Sequence, residues 1–266
     1  MRRIAVCLFI ILVLSSCVTS TKKAEKITLD GVADFSSSFV SFMRTLPAGG
    51  APIFFAAAPR MSDREAEIDG CLASAAAQAS KFIAAQASSY FLVKENNRDL
   101  FYLEGLDVLY DTALAEELLD DLTILRELQD RNGSYILARL DSHTIDPIPY
   151  TPSLSGKEPA WVKVYPSIKG YYVGIGVAQR AGRFDSSIAD ADDRAMEEII
   201  KQMSVSMFTD RRDIEVDNVG TAFAQDRTEF SDEIVLGFYV LARWVSPDGS
   251  NYYSLAVCPR DKNTRP

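Results

Sequence analysis

An internal repeat constrains this 266-residue chain more than any other feature. An apolar strand pattern, a long helical pattern and a hairpin signal occur in that order twice, about 120 positions apart, and such self-similarity implies one supersecondary unit used two times. Residues 52–60 (PIFFAAAPR) and 171–180 (YYVGIGVAQR) are the two strand patterns, ending on Arg60 and Arg180. In the first copy Ser62, Asp63, Arg64 and Glu65 form a helix start, with Glu65 at the third helical position, leading into EAEIDGCLASAAAQASKFIAAQ. In the second, Asp185, Ser186 and Ser187 open SSIADADDRAMEEIIKQMSVSMF, with acids in the first turns where the helix dipole favours them. A stripe of small residues, Ala73, Ala76, Ala77 and Ser80 against Ala191, Ala195 and Ile199, predicts close approach of each helix to a sheet.

Each copy closes on a hairpin. LTILREL and YILARL flank Asn132-Gly133, and FYVLARWV and YYSLAV flank Asp248-Gly249. Asn-Gly and Asp-Gly between alternating apolar runs favour the positive backbone angles that tight hairpins require. Residues 141–158, rich in proline and serine, read as the linker. Ahead of the first copy, Val32, Phe35, Phe39 and Phe42 stand at helical spacing behind Asp30, predicting an amphipathic helix. Residues 90–119 and 213–235 carry no decisive periodicity, although LAEELLDDL at 114–122 suits a short acidic helix.

The amino terminus bears on location. Arg2 and Arg3 precede an apolar run at residues 4–14, then Ser15, Ser16 and Cys17. Eleven apolar residues in a helix cover roughly 16 Å, about half the hydrocarbon thickness, so the segment reads as an export signal. Leu14-Ser15-Ser16-Cys17 resembles the lipobox of bacterial lipoproteins. That resemblance implies cleavage after Ser16 and a diacylglycerol on the thiol of Cys17. Residues 18–26 (VTSTKKAEK) read as a polar tether. Val18 stands where enteric lipoproteins retained in the inner membrane carry aspartate, which favours the outer membrane.

Loss of residues 1–16 removes Arg2 and Arg3 from the 28 basic residues and none of the 37 acidic ones, deepening the net charge from −9 to −11. An acidic surface offers nothing to neutralise phosphates, which excludes nucleic acid as a partner class. Of four cysteines, Cys7 leaves with the signal and Cys17 carries lipid, so Cys71 and Cys258 remain, each in an apolar context that suits a buried thiol better than a disulfide.

The second copy resembles the LPP20 family of bacterial lipoproteins, through Trp161-Val162, Gly174-Ile175-Gly176-Val177-Ala178 and the alanine-studded helix ending near residues 201–205. The first copy is a degenerate version, with Phe55-Ala56-Ala57-Ala58 in place of the glycine pair. The resemblance implies a small α/β domain with a long helix on a few-stranded sheet, and an envelope role in assembly or adhesion. It supplies no catalytic residues.

Other candidate chemistry is weak. Gly174-x-Gly176 lacks the third glycine of a dinucleotide motif, so close helix packing explains it better. Asp185, Asp190, Asp192 and Asp193 lack the spacing of a calcium loop and read as a solvated, dipole-compensating turn. Glu116, Glu117, Asp120 and Asp121 read as a wet helix face. His143, the single histidine, stands in the linker near Asp141 and Asp146 without a nucleophile motif. Trp161, Tyr171, Tyr172, Phe238, Trp244, Tyr252 and Tyr253 gather in the second copy, as core or as an exposed row marking an interface.

The expected fold is therefore α+β: two tandem LPP20-like units, each a long helix on a small, mostly antiparallel sheet, preceded by an N-terminal amphipathic helix. Its expected divisions are a signal peptide at 1–16, a lipidated tether at 17–29, a first unit at 30–140, a linker at 141–158 and a second unit at 159–266. The expected function is non-catalytic: a lipid-anchored cell-envelope protein acting in assembly, structure or interaction, in the outer membrane or associated with the flagellum. It uses no cofactor or metal, and its partners are membrane lipid through Cys17 and other envelope proteins or itself. The alternative is a lipoprotein that holds a small molecule or peptide in a cleft between the units.

Overall fold

The computed structural model describes residues 25–28, 42–47, 50–96, 98–153, 158–215 and 227–263. Cys17, the signal segment and the helix expected from Asp30 lie outside the described residues, apart from the last two positions of that helix, Phe42 and Met43, which are buried.

The protein is α+β, with helices packed on small antiparallel sheets. In the first half β2 (Ile53–Pro59) leads into α1 (Arg64–Ile83), and a hairpin of β5 (Leu122–Gln129) and β6 (Gly133–Leu140) returns so that β6 pairs with β2. In the second half β7 (Tyr171–Gln179) leads into α3 (Phe184–Glu215), and a hairpin of β9 (Tyr239–Val245) and β10 (Asn251–Pro259) returns so that β10 pairs with β7. Strand order is therefore β5-β6-β2 in one sheet and β9-β10-β7 in the other. Equivalent backbone hydrogen bonds close both arrangements. Arg60 N donates to Asn132 O at 2.8 Å and Arg180 N to Ser250 O at 2.9 Å; Leu140 N donates to Pro52 O at 3.0 Å and Arg260 N to Gly170 O at 2.9 Å.

β1 (Glu25–Thr28) adds to the first sheet parallel to β5, with Glu25 level with Arg126. This corrects the reading of residues 18–26 as tether throughout: the last of them are strand. The unassigned stretches form a third sheet. β3 (Ala85–Asn96) pairs antiparallel with β4 (Arg98–Tyr110) on one side and with β8 (Arg227–Val235) on the other, so each half of the chain contributes to it. The short acidic helix begins two residues earlier than expected, as α2 (Thr112–Leu118), followed by a 3-10 turn at Leu119–Asp121. Asp111 sets its start, because its carboxylate accepts Ala113 N at 2.9 Å and Leu114 N at 3.1 Å.

Helix and sheet approach closely in both halves, by opposite means. A Cβ on Gly174 would stand 2.0 Å from Ala195 O, and one on Gly176 would stand 1.8 Å from Ala191 O, so only glycine fits between β7 and α3. In the first half the glycine is on the helix: Gly70 faces Ala58, with a built Cβ to Cβ distance of 3.4 Å. The buried stripe of α1 is Cys71, Ala75 and Ala79 with Ala76 and Ser80, whereas Ala73 is exposed and Ala77 half-buried. The expected stripe was rotated because the alanine run offers several equally small faces. On α3, Ala191, Ala195 and Ile199 are buried as expected.

The two halves share a core. Phe54 of β2, Phe82 of α1 and Tyr239 of β9 meet edge to face with centroids 6.0 to 6.1 Å apart. The segment read as linker packs too: its Ile145 lies in the same cluster as Trp161, Ile168, Val173, Ile175 and Leu255, and Ile148 and Tyr150 pack against that cluster.

Candidate functional site

Three places combine polar groups with burial or an opening. The first is a clamp at the start of α1. Asp63 caps the helix by accepting Glu65 N at 2.9 Å, which puts Glu65 at the second helical position and leaves Glu67 pointing inward, wholly buried. Glu67 accepts Met61 N at 2.7 Å, the Ser134 hydroxyl and the Arg64 guanidinium. Arg64 in turn donates to Asp130 O at 2.7 Å and Gly133 O at 3.1 Å, fixing the helix to the hairpin turn. Sequence reasoning missed Glu67, although it stands four residues before Cys71 and eight before Ala75, an acid on the apolar row. In the second half Ser187 has the corresponding place and accepts Ala181 N at 2.9 Å.

The second is a polar junction between the halves. Arg243, in the apolar strand β9, is 3% exposed. Its Nη2 and Nε grip Asp192 of α3 at 2.6 and 3.0 Å, Nη2 also donates to Gln78 Oε1 of α1 at 3.0 Å, and the guanidinium carbon lies 5.4 Å from the Phe55 ring centroid. Gln78 then donates to Phe55 O at 2.8 Å on the edge of β2. The Tyr239 hydroxyl accepts Ile53 N at 3.0 Å and also lies within reach of Ile53 O and Thr45 O; burial pushes this phenol well above its ordinary pKa. Asp192 is thus no solvated turn acid: 13% exposed, it neutralises a buried arginine, while Asp190 and Asp193 stay exposed as expected. Sequence reasoning could have found this pair from Arg243 itself, a charge inside FYVLARWV. Arg243 Nη1 has no hydrogen-bond partner among the described residues.

The third is an open groove of about 570 Å³ where the third sheet meets the end of α1. α1 stops because Ala84 turns extended (φ −159°, ψ 132°), and the chain enters β3 at once. Two ties hold this corner: Ser80 Oγ donates to Asp111 O and Gly237 N to Phe82 O, both at 2.9 Å, with Gly237 in the left-handed region (φ 77°). The register sets the two faces. Ala85 lies opposite Tyr110 and Val235, and Ala87 opposite Val108; Ala85, Ala87 and Val235 are buried among Met196, Ile199, Ile200 and Met203 of α3. One residue along, Gln86 lies opposite Leu109 and Ile234 on the other face, where Leu109 is 60% and Ile234 66% exposed. Near this corner Lys81 of α1 lies 2.7 Å from Asp193 and 5.7 Å from the Tyr110 ring centroid. The groove thus draws on both halves, with Ile234 coming from the second.

The remaining expected candidates are dispersed. His143 Nδ1 lies 2.9 Å from Ser142 Oγ, while Asp141 pairs with Arg139 and Thr123. Cys71 and Cys258 are free and buried, and burial pushes both thiols up to about 12. Trp161, Tyr172, Phe238, Trp244 and Tyr252 are core residues, with Tyr171 and Tyr253 half-buried; among the described residues the most exposed large apolar side chains are instead Leu109 and Ile234 on the third sheet and Val164, with Tyr165 beside it, ahead of β7. Among the described residues no group of His, Cys, Asp or Glu could hold a metal ion, and no helix is long and apolar enough to cross a membrane. The chain matches no protein-family model, curated protein or solved structure with which it was compared.

Proposed function

We propose that this chain is a lipid-anchored bacterial cell-envelope protein, outer membrane rather than inner, that acts without catalysis as an assembly or interaction module. The observation that carries the reading is Leu14-Ser15-Ser16-Cys17 directly after a basic and then apolar leader. The folded part supports a contact role. Its buried charges serve packing, Glu67 on Arg64 and Asp192 on Arg243, and its most exposed apolar row lies on a sheet built from both halves. The matched strand orders and closing hydrogen bonds support a tandem duplication, and Trp161 in the core together with the glycine-mediated contact between β7 and α3 supports the likeness of the second unit to LPP20 lipoproteins. Palmitate labelling in a bacterial host tests the anchor: label on the parent and none on a Cys17→Ala variant is expected, and equal labelling of both overturns it. Crosslinking in native envelopes tests the contact role, which a strictly solitary protein would contradict.

A second reading, a ligand-binding lipoprotein, draws on the groove, whose volume falls within the range of small-molecule sites. It predicts a ligand that co-purifies and is lost when Gln86→Trp fills the groove.

A further inference from the structure

We infer that the outer face of the third sheet, at the Leu109-Gln86-Ile234 row, rests on the lipid surface to which Cys17 is anchored, and that the two hairpin turns point away from it. The inference deepens the proposed function and rests on lipidation of Cys17.

Leu109 and Ile234 are among the most exposed large apolar side chains described, and they flank Gln86 in one cross-strand row. Such a row is costly to leave in water and suits either a partner or a lipid interface. The path of the chain favours lipid. β1 runs parallel to β5, so the chain reaches Glu25 from the side on which β5 begins. β5 begins at Leu122, directly after α2 and its 3-10 turn, and the cap of α2, Asp111, is a wall of the groove. The chain therefore enters β1 at Glu25 from the groove end of the molecule. The tether's reach is short: the eight residue steps from Cys17 to Glu25 span at most about 26 to 29 Å when fully extended. The start of β1 can stand no farther than this from the lipidated sulfur.

The opposite end is mainly polar, with Met61 exposed as an apolar exception. Phe184 lies 5.4 Å from Tyr135 and 5.5 Å from Tyr252, gathering both hairpin turns and the start of α3. Asp63, Arg131, Asn132 and Asp248 are exposed there. Charge decides which lipid is preferred. Asp111, Glu116, Glu117, Asp120 and Asp121 are exposed at the groove end, so anionic headgroups are repelled and the contact suits zwitterionic ones. Two aliphatic side chains bind a bilayer weakly by themselves, but the tether makes the contact intramolecular and raises its effective concentration.

The test uses the full chain purified in its lipidated form, its acylation verified by mass, and reconstituted into phosphatidylcholine vesicles. An environment-sensitive fluorophore is placed at Leu109→Cys, at Ile234→Cys or, for comparison, at Asn132→Cys, with Cys71 and Cys258 shielded by burial. Quenching by spin-labelled lipid at least threefold stronger at positions 109 and 234 than at 132 is expected. Equal quenching at all three on lipidated protein overturns the orientation while leaving the anchor intact, and so does a crosslink from position 109 to a second copy of the chain. Cys17 found unmodified in envelope-derived protein removes the anchor, and the orientation with it.

Discussion

Arg243 on β9 and Asp192 on α3 form a bidentate pair, Nη2 to Oδ2 at 2.6 Å and Nε to Oδ1 at 3.0 Å, with side chains 2% and 13% exposed. The pair lies where both sheets and both long helices meet, because Gln78 of α1 completes it and Phe55 of β2 lies against it. Taking two charges out of water is expensive, and only their close geometry offsets that expense. Its main consequence is that neither partner tolerates loss of the other.

Asp192→Ala is therefore expected to destabilise the fold by about 3 to 5 kcal/mol, since it strands a buried guanidinium. The double variant Asp192→Leu with Arg243→Met removes both charges and should recover most of that loss. Urea denaturation of the parent and both variants measures this. A single variant within about 1 kcal/mol of the parent would show that water already solvates Arg243.

What could be read in the sequence follows from how local each cause is. The hairpins at Asn132-Gly133 and Asp248-Gly249 were legible because four neighbouring residues decide a turn, and Asp130 and Asp248 both hydrogen-bond backbone amides within those turns. The third sheet was not legible, because β8 pairs with a strand that precedes it by more than a hundred residues. Asp192 was misread for the same reason: its partner Arg243 lies far along the chain. Of the candidate sites, Gly174 and Gly176 were correctly assigned to close packing, and of the two readings of the second copy's aromatics the structure bears out core, while the exposed pair Leu109 and Ile234 lies in stretches whose periodicity decided nothing.

The clamp at Glu67 can be set against its simpler counterpart. Glu67→Ala leaves Met61 N, the Ser134 hydroxyl and part of Arg64 without an acceptor, at a cost of about 1 to 3 kcal/mol. Ser187→Ala removes the acceptor of Ala181 N and the bond the hydroxyl donates to Arg183 O, for about 0.5 to 1.5 kcal/mol. Thermal unfolding of the two variants side by side should rank them in that order, and the reverse order would mean that Glu67 does not bear on the helix start.

Gly176→Ala should be among the most damaging small substitutions in the chain. The new methyl would stand 1.8 Å from Ala191 O and 2.5 Å from Ala195 N, so β7 and α3 must separate, at about 2 to 3 kcal/mol or more. Gly249→Ala separates steric from conformational cost. Nothing lies within 4 Å of its built Cβ, and only its φ of 68° opposes a side chain, for about 1 to 2 kcal/mol. Chemical denaturation of both variants checks the contrast, which equal losses would remove.

The two buried thiols make stability fall in alkali. Cys71 and Cys258 have ordinary values near 9 and are pushed up to about 12, each chiefly by burial. Between those limits the unfolded chain releases protons that the folded chain keeps, so the unfolded state gains as pH rises. The stability these thiols contribute is complete below about pH 9 and is lost progressively toward 12, with a slope approaching about 1.4 kcal/mol per pH unit per thiol. Burial also raises Tyr135 and Tyr239 above the ordinary phenol value of 10, so the thiols are best isolated below that. Denaturation midpoints measured from about pH 8.5 to 10 should fall more steeply for the parent than for a Cys71→Ala, Cys258→Ala double variant. Each protein serves as its own reference, which removes any constant cost of the substitutions. Parallel curves would mean that the thiols ionise as readily in the folded protein as in the unfolded one.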